Sequence, residues 1–155
     1  MAGSIDARLK ELGIVLPEPP TPQANYVGNV VTGNLIFTAG QIPLRAGKVE
    51  FVGKLGKDMA IEQGYEAAKL CAINVLAQVK VALGGDLGRV VRCVKLLGFV
   101  NSTPDFPDHP KVINGASDLI VAVLGDAGKH ARSAVGIANL PFGVATEVEG
   151  IFEFR

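Results

Sequence analysis

The chain reads as an α+β protein, with one mixed β-sheet and two helices packed on one of its faces. Three observations lead there. Its 155 residues are 48% hydrophobic, enough for one domain with a sizeable core. Short alternating stretches come before and between two segments of helical periodicity, and two more strands close the chain, which is the order of an α+β layer. Finally, Ala131–Gly150 (ARSAVGIANLPFGVATEVEG) carries small or apolar residues on both strand faces, Val135 and Ile137 on one, Ala134, Gly136 and Ala138 on the other. A solvated face would alternate with polar residues, so the sheet is expected to bury its second face against other subunits.

Each element has a local cause. Residues 4 to 12 form a short amphipathic helix, with Ser4 as cap, Ile5, Leu9 and Leu12 on one face and Gly13 as stop. The four prolines of Leu16–Gln23 make an extended tether, a rigid connector or a peptide-docking segment. Residues 1–23 are thus set apart from a domain over 24–155. Tyr26–Pro43 alternates and breaks at Gly33-Asn34, which predicts two strands joined by a tight turn. A third strand is expected over Lys48–Val52. Asp58 is the expected N-cap of a helix running to about Leu83, whose Ile61, Tyr65, Ala68, Ala72, Val75 and Val79 recur every three or four residues. GGDLG (Gly84–Gly88) follows a helix instead of opening one, so it is a helix stop and not a phosphate loop. Arg89–Ser102 becomes apolar on both faces, as a central strand would. Pro110 suits the first turn of a second helix with Val112, Ile113, Ala116, Leu119, Ile120 and Val123 as its buried stripe. The last strands, Arg132–Ala138 and Thr146–Phe154, are expected to pair with each other around Pro141-Phe142-Gly143.

Composition narrows the function classes. Fifteen basic residues balance fifteen acidic ones without a basic cluster, so nucleic acid is not the expected partner. No apolar run reaches the roughly 18 residues of a membrane span. The opening MAGSIDARLKEL lacks a signal-peptide core, and a cytoplasmic location is expected. Cys71 and Cys93 form no CxxC and sit in apolar elements, as buried free thiols do. His109 and His130 have no Cys or His at ligand spacing, so no metal site is expected.

Four separated motifs resemble the Rid family (reactive intermediate deaminases, also called the YjgF family). They are ANYVGNVVTGNLIFTAGQIP (Ala24–Pro43), KLLGFVNSTPDF (Lys95–Phe106), INGASDL (Ile113–Leu119) and HARSAVGIANLPFGVATEVEGI (His130–Ile151), in family order over about residues 24 to 154. The resemblance implies a chorismate-mutase-like fold and a homotrimer, with the sheets as a central barrel and ligand clefts between subunits. It assigns Arg132 to the substrate carboxylate and Glu147 to the water that hydrolyses an imine, and it places Tyr26, Gly40 and Asn114 in the cleft lining. The implied substrate is a small 2-enamino or 2-imino acid, released as a 2-keto acid and ammonia. Two departures stand out: Ala134 replaces the usual cysteine two residues after the arginine, and His130 replaces the usual proline. A thiol mechanism is therefore excluded at that position. A sensor or carrier of small carboxylates, and an endoribonuclease, are the competing functions.

The chemistry stands without the family. A guanidinium fork pairs with carboxylate through two hydrogen bonds and stays charged at every working pH. A nearby carboxylate can accept a proton from water, so arginine plus glutamate suffices with no cofactor. On residues alone, Arg132 is either a solvated strand end or a ligand grip. Likewise Tyr26, Asn114 and Gly40 have structural roles open to them, as a packed aromatic, a first-turn hydrogen bonder and a backbone requirement. If the last two strands paired directly, Glu147 would lie about five positions, roughly 17 Å, from the residue opposite Arg132. The two would then meet only across subunits.

Overall fold

Five strands hydrogen-bond in the order Asn29–Thr32 (β1), Leu35–Thr38 (β2), Thr146–Phe154 (β7), Val90–Asn101 (β5) and Ala131–Ile137 (β6), and a separate two-stranded ribbon joins Leu44–Arg45 (β3) to Lys48–Val49 (β4). The computed structural model describes residues 2–155, with side chains from Ile5 onward. In chain order the elements are α1 (Ala2–Glu11), β1 (Asn29–Thr32), β2 (Leu35–Thr38), β3 (Leu44–Arg45), β4 (Lys48–Val49), α2 (Ile61–Ala82), β5 (Val90–Asn101), α3 (His109–Leu124), β6 (Ala131–Ile137) and β7 (Thr146–Phe154). The mixed sheet with α2 and α3 on one face is the α+β layer expected.

Several local causes act as the sequence implies. Helix α1 closes at Gly13 (φ +67°), with Ile14 N–H donating to Leu9 O (2.9 Å) and Gly13 N–H to Lys10 O (3.0 Å). It begins at Ala2, so Ser4 lies inside it and does not precede it as a cap. Ile5 and Leu9 are buried in the main core, and Arg8 Nε donates to Ala122 O of α3 (2.8 Å). The β1–β2 hairpin turns at Gly33-Asn34, with Thr32 opposite Leu35. Helix α2 ends where Gly85 N–H reaches Lys80 O (2.8 Å), both Gly84 and Gly85 having positive φ. The expected stripe of α3 is buried throughout.

Three further expectations are corrected. Lys48–Val52 does not add a third strand to the sheet, because Ala46 and Gly47, both at positive φ, fold it back on Leu44–Arg45 as a tiny hairpin. Asp58 does not cap α2. Its Oδ1 accepts the Lys54 N–H (2.7 Å) in the preceding turn, and at the true start Gln63 Oε1 takes the Ala60 N–H (2.9 Å). Nor do the last two strands pair with each other. Strand β5 lies between them, parallel to β6 and antiparallel to β7. It has twelve residues, and each of its two edges takes a different neighbour. Helix α3 crosses over the sheet and returns β6 parallel to one edge, leaving the other to β7.

Register then sorts the side chains. Leu96, Val100, Val148 and Phe152 point to the helices and are fully buried with Ile36, Val75 and Leu76. Their neighbours in sequence point the other way: Val30 and Phe37 pair across β1–β2, and Phe99 pairs with Val135. Val30, Phe37 and Val135 remain exposed, and among the described residues no element of the chain covers this face.

Helices α2 and α3 meet at Gly115, where a Cβ would overlap the Tyr65 carbonyl oxygen and sit 3.2 Å from Lys69 N. Backbone atoms cannot swing aside as a side-chain tip can. Gly115→Ala should therefore lower unfolding free energy by about 1–3 kcal/mol or more. Urea denaturation checks this; an unchanged midpoint would show that the helices part at little cost.

Candidate functional site

Arg132 stands near the start of edge strand β6, level with Leu96 of β5 and hence on the helix face. Its Nη1 donates to Asn114 Oδ1 (2.8 Å) and Ser117 Oγ (3.2 Å), and Nη2 approaches Pro110 O (3.5 Å). All three acceptors lie on α3 between Pro110 and Ser117, and all are neutral. No carboxylate pairs with this guanidinium among the described residues. The group is oriented while its charge remains unmatched.

Behind it runs a relay the sequence reading did not foresee. Ser117 Oγ lies 2.9 Å from His130 Nε2, and His130 Nδ1 lies 2.6 Å from Gly128 O. A carbonyl can only accept, so Nδ1 carries the hydrogen. In the neutral ring Nε2 then accepts from the Ser117 hydroxyl, whose lone pair takes Arg132. His130 thus steers the arginine through Ser117. Its place in the family signature, where proline is usual, was the only sign of this in the sequence.

Glu147 belongs to β7, opposite Phe99, on the open face. Half-burial raises its carboxyl above the ordinary value, and the neighbouring Glu149 charge adds to the rise. Gly40 lies against it. A Cβ at Gly40 would land on Glu147 Oε1, so any larger residue here would push the Glu147 carboxylate aside; φ at this residue is not positive. The backbone bridge between Gln41 and Val148 (2.8 and 3.0 Å) holds the two segments together.

The five residues singled out from sequence therefore form two groups. Arg132 and Asn114 meet on one side, and Gly40 and Glu147 meet on the other. Tyr26, 60% exposed before β1, touches neither through a side-chain hydrogen bond. Arg132 is level with Leu96 and Glu147 with Phe99, on strands flanking β5. Three residues and two strand spacings separate them by roughly 14 Å, and they face opposite sides of the sheet. One chain does not unite them, though the reason is this register and not the direct pairing expected.

Both thiols are buried in the core. Cys71 is wholly buried, 3.3 Å from Thr146 Oγ1, and burial pushes its thiol up to about 12; burial does the same to Cys93, also to about 12. Among the described residues no three His, Cys, Asp or Glu side chains converge as metal ligands would.

The sheet order, the covering helices and these two groups define a small α+β domain of chorismate-mutase-like type. The chain belongs to the YjgF family, whose model, described as “YjgF/chorismate mutase-like, putative endoribonuclease”, matches residues 6–148. Protein TCP17 of Trypanosoma cruzi is 46% identical over 155 residues, covering 99% of this chain and 96% of its own. A 2-iminobutanoate/2-iminopropanoate deaminase of Escherichia coli is 30% identical over 138 residues, covering 89% of this chain and 94% of its own. Among solved structures, protein Atu1372 of Agrobacterium tumefaciens superposes with a TM-score of 0.93 at 48% identity, over 99% of this chain and 94% of that one. E. coli TdcF with bound serine superposes at 0.62 with 27% identity, over 89% of this chain and 94% of that one.

Both cysteines should resist an aromatic disulfide reagent at mildly alkaline pH, where an ordinary thiol is partly ionised. Both should react once the protein is unfolded in denaturant. Rapid labelling of the native protein would show that a thiol reaches solvent.

Proposed function

We propose that this chain hydrolyses small 2-enamino and 2-imino acids to 2-keto acids and ammonia, at clefts between the subunits of a homotrimer. The observation that carries the reading is the pair of incomplete groups: an oriented guanidinium with no acid partner, and a half-buried carboxylate held above its usual range. Apposing the open, apolar sheet faces of three copies would bury Val30, Phe37 and Val135 and give each cleft contributions from two subunits. Residues 24–155 then carry the site, and 1–23 brace it from outside.

The chemistry needs only these side chains. The Arg132 fork receives the substrate carboxylate, with Asn114 fixing the fork and Tyr26 and Gly40 lining the cleft. Ionised Glu147 takes a proton from water as the water oxygen bonds to the imine carbon and the C=N π pair moves to nitrogen. Glu147 returns that proton to the nitrogen. Glu147 then carries the hydroxyl proton to the amino nitrogen as the C–N bond breaks and the C=O bond forms, leaving the 2-keto acid and ammonia. No cofactor enters. Because base action requires ionised Glu147, its raised pKa places the acid limb of turnover above the usual carboxylate range. The cytoplasm is the proposed compartment, in keeping with two free cysteines; no helix among the described residues is long and apolar enough to cross a membrane.

A carrier of small carboxylates is the second reading, favoured by the serine held in TdcF and by Ala134 in place of the usual cysteine. Endoribonuclease activity, which the family description names, has less support: fifteen acidic residues cancel fifteen basic ones.

Freshly generated 2-iminopropanoate measures turnover, and pyruvate measures binding. Glu147→Gln should cut turnover about a hundredfold or more while pyruvate binds nearly as before. Arg132→Lys keeps the charge but loses the planar fork, and should weaken pyruvate binding about tenfold. Wild-type turnover in Glu147→Gln would remove the assigned base. Binding without any ammonia release by the unaltered protein would favour the carrier.

A further inference from the structure

A cleft of about 450 Å³ opens at the C-terminal end of β6, apart from the groups described above. Along β6 its floor residue Gly136 is four positions, about 13 Å, from Arg132. That floor is bare backbone, and a Cβ at Gly136 would overlap His109 Nε2 and come within 2.6 Å of Ser102 Oγ, displacing the pair that lines the cleft. Ser102 Oγ and His109 Nε2 lie 3.1 Å apart, and the Phe106 ring packs edge-on against His109 at 5.5 Å. Phe106 and Ile137 supply apolar wall.

Lys54 gives the cleft its charge. Its Nζ donates to Asn101 Oδ1 and Ala138 O, both at 2.6 Å and both neutral, and no carboxylate pairs with it among the described residues. The ammonium is held by built structure. Asn101 is 97% buried (3% exposed), and its amide nitrogen is tied to Gly53 O (3.2 Å) and Val144 O (3.1 Å) so that its oxygen faces Lys54. On the other side, Asp58 anchors the Lys54 backbone (2.7 Å). Fixing a flexible lysine costs rotamer entropy, and neutral oxygens leave its charge unmatched. Its third N–H is free for a ligand. Helix α3 begins at His109, so the positive end of its dipole adds to the potential.

We propose that this cleft is a second ligand site, for a small monocarboxylic acid with an apolar body. One carboxylate oxygen takes the remaining Lys54 N–H, the other takes a donor from the Ser102–His109 pair, and the body rests on Phe106 and Ile137. Two donors and one cation match a carboxylate; a dianionic phosphate would bring a second charge with no partner. The site uses neither Arg132 nor Glu147 and stands or falls apart from the proposed turnover.

Benzoate is the probe, with benzamide as its uncharged counterpart, followed by amide NMR of the full chain. Benzoate should shift the Gly136 and Ala138 signals saturably and benzamide should not. Lys54→Met should weaken those shifts at least about tenfold, whereas Arg132→Ala should leave them within about twofold. Gly136→Ala, which fills the floor and keeps Lys54, should abolish them and serves if Lys54→Met does not fold. Equal binding of benzamide, unchanged binding in folded Lys54→Met, or loss in Arg132→Ala would each overturn the site.

Discussion

Strand β5 hydrogen-bonds along both edges, parallel to β6 and antiparallel to β7, and this double pairing determines which sheet face Arg132 and Glu147 occupy. Leu96 and Val100 face the helices, so the residues level with them do too, and Arg132 is among these. Phe99 faces away, and Glu147 opposite it shares that direction. A one-residue slip of either neighbour would exchange these faces and expose the core side chains. The burial of Phe152, Leu96 and Val148 therefore fixes the site's geometry as firmly as it fixes the fold.

The same register leaves the domain unfinished on one side. Two long helices cover one sheet face, and Phe37, Val135 and Val30 remain uncovered on the other beside a carboxylate already raised by burial. A closer apolar environment would raise Glu147 further, towards the range where a carboxyl gives and takes protons readily near neutrality. In the proposed trimer, assembly and acid–base chemistry would be linked through this one surface. The helix side is finished differently, with Ser117 and His130 ordering a guanidinium that solvent would otherwise leave free to swing.

Much of this was legible in the sequence. Gly33-Asn34 marked the hairpin, and the apolar periodicity of α3 marked its buried stripe. The continuous apolar run of β5 marked a central strand. What could not be read was competition between distant segments. Strands β6 and β7 are separated by a short proline-glycine turn and look like a hairpin, but β5, some thirty residues upstream of β6, holds both through its two edges. Asp58 looks like a cap until the Lys54 N–H is seen to need an acceptor. Family motifs point to Arg132, Asn114, Glu147 and Gly40, but the pairing of each with its neighbour depends on the fold. Ser117 was hidden because a serine on a helix reads as ordinary polar surface, and its value depends on His130 thirteen residues later.

The proposed site takes Arg132 from one copy and Glu147 from another. Subunit complementation tests it most directly. Arg132→Ala and Glu147→Gln proteins, each inactive as imine deaminases, are unfolded together in equal amounts and refolded. Random assembly into cyclic trimers would give clefts with both native residues in roughly a quarter of positions. Ammonia release at about a quarter of the wild-type rate is therefore expected from the mixture. Activity no greater than the sum of the two variants refolded separately, with mixed trimers demonstrably present, would contradict a site shared between subunits.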